Sequence, residues 1–205
     1  MILMNQLISA LLQVGLLMAI PFLYYVCSRR AFSGFFSWIG LKIGKGLPLK
    51  WMFILFTAIG LGVFIPYLWL YQTGCLTYSG FVVDSFLESG WSVQNILILV
   101  LWACIQTALS EEIFFRGFLL ELFGQWINWG WANLLQATIF GLIHCFSVLN
   151  QSIGPIFLVV GLTAGIGWTL GWLKKTKSDG SLFAGILIHA GANLLSTVLV
   201  FCFLL

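Results

Sequence analysis

Six side chains in this sequence combine reactive types with spacings that let them meet. Glu111, Glu112 and Arg116 fall in one apolar stretch, His144 in a second, and His189 with Asn193 in a third. His144 and His189 are the only histidines of the chain. A carboxylate helped by an imidazole can take a proton from water and make it a nucleophile. A second imidazole and an amide can then donate hydrogen bonds to the oxyanion formed on a peptide carbonyl. The same Glu and two His could instead ligate zinc, which would activate the water itself. Zinc is the disfavoured alternative, because the His-Glu-x-x-His that sets two ligands and a base on one helix is missing. No metal or other cofactor is expected.

Spacing within each stretch refines this. Glu112 and Arg116 are i,i+4 neighbours on a helix and can pair, which lowers the cost of burying both. Glu111 is turned about 100° from Glu112, so one acid is neutralised and the other is left for chemistry. His189 and Asn193 are also i,i+4, with Ala190, Gly191 and Ala192 between them allowing close helix approach. Gly161, Gly165, Gly167 and Gly171 form a similar small-residue stripe in the preceding stretch. Plainer roles exist for each part. A Glu–Arg pair can be only a structural salt bridge, and a His-x-x-x-Asn stripe can be interhelical glue. The full set stands apart because the only histidines join the only unpaired buried acid.

The elements that must position these groups follow from composition. Of 205 residues, 61% are hydrophobic, 17% aromatic and 7% charged, against about 25% charged in soluble domains. Mean hydropathy is +1.06. Such a chain cannot hide its apolar surface from water, which excludes a soluble enzyme, a secreted scaffold and a disordered protein. The net charge of +3 comes from scattered Lys and Arg with no basic face, so no nucleic-acid partner is expected. Cys27, Cys75, Cys104, Cys145 and Cys202 are odd in number and contain no Cys-x-x-Cys, which argues against a disulfide framework or a thiolate metal site.

The predicted fold is therefore an all-α, multi-pass transmembrane bundle. A bilayer core needs about 20 apolar residues per helix, and six stretches qualify, approximately 6–26, 51–71, 93–123, 131–149, 154–173 and 182–204. The third exceeds one upright crossing and should tilt or begin at the interface. The first has no basic residues before it and no small-residue cleavage site after it, so it is expected to be a retained anchor. Segment 31–45, aromatic but short, is expected along the headgroup layer. Trp51, Tyr71, Trp91, Trp129, Trp131 and Trp172 sit near span ends as an interfacial belt.

Arg29, Arg30, Lys42, Lys45 and Lys50 lie between spans one and two, and Lys174, Lys175 and Lys177 with Asp179 between spans five and six. Only Asp84 and Glu88 lie between spans two and three. The positive-inside rule makes the basic loops cytoplasmic and both termini non-cytoplasmic. At 1.5 Å per residue, Glu111 and His144 lie about 18 and 20 Å from the cytoplasmic ends of their spans, and His189 and Asn193 about 11 and 17 Å. The four share a layer although their helices alternate in direction. Glu121 falls at the inner end of span three as an interfacial residue.

Other hydrolytic chemistries are poorly served. Asp84 and Asp179 lie outside the spans, so no buried aspartyl dyad is available, and no Gly-x-Ser-Gly or Gly-x-Ser-x-Gly occurs. Cys145 adjoins His144 on the helix and so faces away from it.

Glu111-Glu112-Ile113-Phe114-Phe115-Arg116, Phe140-Gly141-Leu142-Ile143-His144 and His189-Ala190-Gly191-Ala192-Asn193 resemble the E-E-x-x-x-R, F-x-x-x-H and H-x-x-x-N motifs of the CAAX-protease and bacteriocin-processing family, also called CPBP or Abi proteins. All three are complete and in order, and the resemblance covers about residues 93–205. It implies a glutamate intramembrane endopeptidase without a metal, acting on a membrane-associated protein or peptide. Glu111 resembles the water-activating base, His144 its partner, and His189 with Asn193 the oxyanion pair. Glu112 and Arg116 resemble the supporting residues of the first motif. Residues 93–205 would then be a four-span catalytic core, and 1–92 two N-terminal spans with the basic loop and interfacial segment.

The family also includes immunity and scaffold proteins, so a non-catalytic membrane partner is the main alternative. A proton-coupled carrier is a third, weakened by the lack of repeated halves or paired broken helices. The compact chain suggests a bacterial plasma membrane; substrate, cleaved bond and oligomeric state stay open.

Overall fold

A computed structural model of the protein describes residues 2–74 and 81–204. It contains α1 (Ile2–Arg29), α2 (Phe35–Ile39), α3 (Leu49–Gln72) and α4 (Phe81–Ser89). These are followed by α5 (Val93–Phe123), α6 (Trp129–His144), α7 (Ile153–Thr176) and α8 (Phe183–Leu204). Among the described residues all regular structure is helical, and α1, α3, α5, α6 extended by one tight turn to Val148, α7 and α8 are long and apolar enough to span a membrane. Continuous apolar sequence takes this form because a helix satisfies every backbone polar group internally where no water is available. The protein is a multi-pass membrane protein. Side-chain caps mark two starts: Ser92 Oγ accepts from Asn95 N–H and Asn128 Oδ1 from Trp131 N–H, both at 3.2 Å. Cys75 lies outside the described residues; the other four cysteines are free thiols.

The long third span is one continuous helix, but not a regular one. Leu101–Leu109 and Glu112–Leu119 are wound in i→i+5 turns, which put more residues into each turn and shorten the segment. Sequence periodicity predicted neither stretch. Where the second ends, Leu120 N–H reaches back to Phe115 O, and the Arg116 carbonyl accepts from Lys174 Nζ at 2.7 Å. Lys174 also binds Glu121 Oε1 at 2.6 Å. Lys174 is thus no loop lysine. It lies buried inside α7 and serves a backbone carbonyl at the π-to-α junction, whereas Lys177 follows the helix end with its ammonium over the Trp51 and Trp172 rings at 5.1 and 5.6 Å.

Segment 31–45 also differs from a purely interfacial strip. Gly34 and Gly40, at φ 86° and 90°, bracket α2 and turn Phe35 and Ile39 inward onto Tyr25, Ile113 and Leu182. Phe32 and Phe36 stay exposed. The connection after α3 holds the short helix α4, tied down by Asn95 Nδ2 donating to Ser85 O and Gly90 O.

Close approach of α6 and α7 depends on Gly141. A Cβ there would lie 2.6 Å from Val160 O and 2.8 Å from Ala164 Cβ, backbone and near-backbone atoms that cannot swing aside. Gly167 and Gly171 meet α6 in the same way, but Gly161 and Gly165 face open space and take no part in the seam. Gly141→Ala is expected to cost about 1–3 kcal/mol through overpacking, while Gly161→Ala is neutral or slightly stabilising. Thermal midpoints of the two variants in one detergent check this.

Candidate active site

The polar residues singled out above sit on α5, α6 and α8, the most enclosed of the spans. Glu112 and Arg116 pair as their spacing predicts, with Arg116 Nη1 3.1 Å from Glu112 Oε1 and both side chains fully buried. Glu112 has a second partner that spacing did not reveal: His189 Nδ1 lies 3.0 Å from the same Oε1. A carboxylate oxygen only accepts, so Nδ1 carries the proton and donates to it. That leaves Nε2, on the opposite edge of the ring, 3.9 Å from Glu111 Oε2. Consecutive glutamates on α5 therefore flank the two nitrogens of one imidazole. Gly185 clears the space, since a Cβ there would lie 3.2 Å from Glu112 Oε2.

Glu111 differs from its neighbour. Its Oε2 is buried and has no hydrogen-bond partner, whereas Glu112 is engaged by a guanidinium and an imidazole. A buried carboxylate oxygen left open in this way is costly unless a water or a substrate group completes it.

His144 closes α6, and its Nδ1 lies 2.7 Å from the Phe140 carbonyl oxygen. The carbonyl must accept, so Nδ1 is the protonated nitrogen and, in the neutral ring, Nε2 has a free lone pair. His144 reaches the cluster through the Phe140 ring, whose centroid is 4.5 Å from that of His144 and 6.3 Å from that of His189. The Arg116 guanidinium carbon lies 4.2 Å from the same ring centre. Phe140 thus joins the second motif to the other two, a role its position in F-x-x-x-H did not disclose.

Asn193 Nδ2 donates to Thr107 Oγ1 at 2.8 Å. Thr107 precedes Glu111 by four residues as Asn193 follows His189 by four, so the antiparallel helices α5 and α8 make two successive polar rungs. Thr107 was legible from its position four residues before Glu111 but was not singled out. A second missed signal lies in α1. Gln6, Ser9 and Gln13, spaced for one helix face, bond to Gln106, and Gln13 also reaches the Gln106 carbonyl and Ser110 Oγ. This seam braces the turn of α5 that leads into Glu111.

Together these features define a multi-pass membrane protein with a carboxylate–imidazole cluster enclosed between its helices. The family model described as Type II CAAX prenyl endopeptidase Rce1-like matches residues 93–195, and the chain belongs to this family. It is also similar to the Bacillus subtilis (strain 168) protein named "Uncharacterized protein YyaK", 36% identical over 106 residues. That match takes in 51% of this chain and only 32% of the relative, so the two share about a third of the relative's length. No solved structure matches.

Proposed function

We propose that the protein is an intramembrane endopeptidase that hydrolyses a peptide bond of a membrane-associated protein or peptide by direct attack of water. The observation that carries this reading is the open, buried Oε2 of Glu111 facing an imidazole nitrogen. Glu111 takes the proton from water as general base. His144, with Nδ1 tied to its own helix, keeps Nε2 for proton transfer. His189 and Asn193 stabilise the oxyanion, and both must adjust to do so. Asn193 exchanges Thr107 for substrate, and His189 donates from Nε2 only as the doubly protonated ring, because Nδ1–H already serves Glu112. Glu112 and Arg116 hold His189 in place and neutralise each other.

In this proposal no metal takes part in the step. His189 and His144 each donate Nδ1–H to a protein acceptor and keep Nε2 out of those bonds, an arrangement that serves proton transfer and metal ligation alike, so a chelation experiment has to separate the two. We assign residues 93–205 as the catalytic core and 1–92 as the anchoring part. In this reading both termini lie on the non-cytoplasmic face of a bacterial plasma membrane, an orientation supported by the basic loops and the positive-inside rule. Substrates of the right kind are a lipidated C-terminus, a bacteriocin-type leader or a hydrophobic sorting tail. The Asn193–Thr107 bond favours a second reading, a non-catalytic immunity or regulatory scaffold in which the polar rungs only pack helices.

Reconstitution in vesicles with candidate substrates, with and without a strong chelator, tests the mechanism. Cleavage is expected to survive chelation. Loss of cleavage that added zinc restores would overturn the metal-free assignment.

A further inference from the structure

At the basic end of the bundle a cavity of about 340 Å³ opens between α2, the inner end of α5 and the end of α7. Its walls hold three lysines, and their states differ. Lys174 is held by Arg116 O and by its ion pair with Glu121, and lines the cavity. Lys42 and Lys175 also line the cavity, and among the described residues neither has an ion-pair partner within 4.0 Å. Lys42 reaches in over Gly180, which holds a left-handed φ of 76°; the ammonium lies 3.5 Å from where a Cβ would be. Asp179 supplies one carboxylate, likewise without an ion-pair partner. With the Lys174–Glu121 pair closed, two positive groups face one negative group. The cavity has a surplus of one positive charge.

A singly charged phosphodiester balances that surplus, whereas a zwitterionic headgroup leaves it uncompensated. The Asp179 carboxylate can only accept hydrogen bonds, so it suits a headgroup carrying hydroxyls beside the phosphate. Ser37 and Trp38 also line the cavity, and each side chain carries a hydrogen-bond donor, an O–H and an indole N–H. The residues next to Ser37 and Lys42 in sequence, Phe36 and Ile43, are 58% and 93% exposed, and provide apolar surface where acyl chains would lie. Basic pockets between membrane helices commonly take anionic headgroups. We propose that this cavity binds one anionic, hydroxyl-bearing phospholipid of the phosphatidylglycerol type. The proposal does not rest on hydrolysis, and its failure leaves the endopeptidase reading untouched.

Native mass spectrometry of the full chain, released from micelles holding equal phosphatidylglycerol and phosphatidylcholine of matched acyl chains, tests it. The parent is expected to retain one phosphatidylglycerol preferentially. The Lys42→Gln, Lys175→Gln variant should lose roughly tenfold or more of that preference. The Lys45→Gln, Lys50→Gln variant removes the same charge outside the cavity and should keep the preference. Equal retention of both lipids by the parent overturns the proposal, as does equal loss in the two variants. Displacement of the lipid by glycerol phosphate or inorganic phosphate overturns the lipid assignment in favour of a soluble phosphate.

Discussion

Glu111→Gln is expected to abolish hydrolysis while leaving the protein inserted and folded. The amide matches the carboxylate in shape but cannot take a proton from water. General-base catalysis is worth about 10²–10⁴-fold, so the variant should fall at least about a hundredfold in rate. The fold should survive for a specific reason. Glu111 Oε2 has no hydrogen-bond partner to lose, and the structural ion pair of α5 belongs to Glu112. Product formation in vesicles, read beside the thermal midpoint in detergent, separates the two effects. Processing at the parental rate removes Glu111 from the mechanism. A Glu111→Gln, His144→Ala double variant that still confers the parental phenotype selects the scaffold reading instead.

Arg116→Met should have the largest effect on stability. Arg116 is fully buried, and its removal takes from Glu112 its ion-pair partner and leaves it only the hydrogen bond from His189. Breaking a buried pair from one side costs about 3–5 kcal/mol, because the surviving charge is left uncompensated. The guanidinium also lies against Phe140, the ring that links His144 to the cluster, so the damage should spread into α6. Replacing both partners, Glu112→Gln with Arg116→Met, is expected to cost much less than the single change, since no lone charge stays buried. That double variant should still be inactive, because a neutral amide can accept from His189 Nδ1–H but cannot stabilise the doubly protonated ring that the oxyanion contact requires. Unfolding midpoints and cleavage rates of the two variants check the pair of statements. A double variant less stable than Arg116→Met would contradict the charge argument.

Much of the architecture was legible in one dimension, and the reason is the bilayer. Lipid offers a backbone no hydrogen bonds, so a stretch of some twenty apolar residues has one stable form. The approximate bounds 93–123 and 182–204 accordingly coincide with α5 and nearly with α8. The scarcity of polar residues in α5, α6 and α8 made Glu111, Glu112, Arg116, His144, His189 and Asn193 conspicuous. The i,i+4 spacing of Glu112 and Arg116 was enough to pair them. Lys174 was misplaced because charge alone suggests a loop. Its burial depends on a carbonyl that becomes available only when the wide turn of α5 ends against α7.

From the sequence alone came the number of spans, their apolar character and the short list of polar groups that lipid would not tolerate unpartnered. Only the tertiary structure decided how those groups divide their bonds: which glutamate holds His189, which keeps an open oxygen, and that Phe140 and Thr107 complete the set. Hydrophobicity acts residue by residue and can be summed along a chain. A hydrogen bond between two helices depends on rotations of both, and in α5 those rotations follow from i→i+5 turns that no local pattern announced.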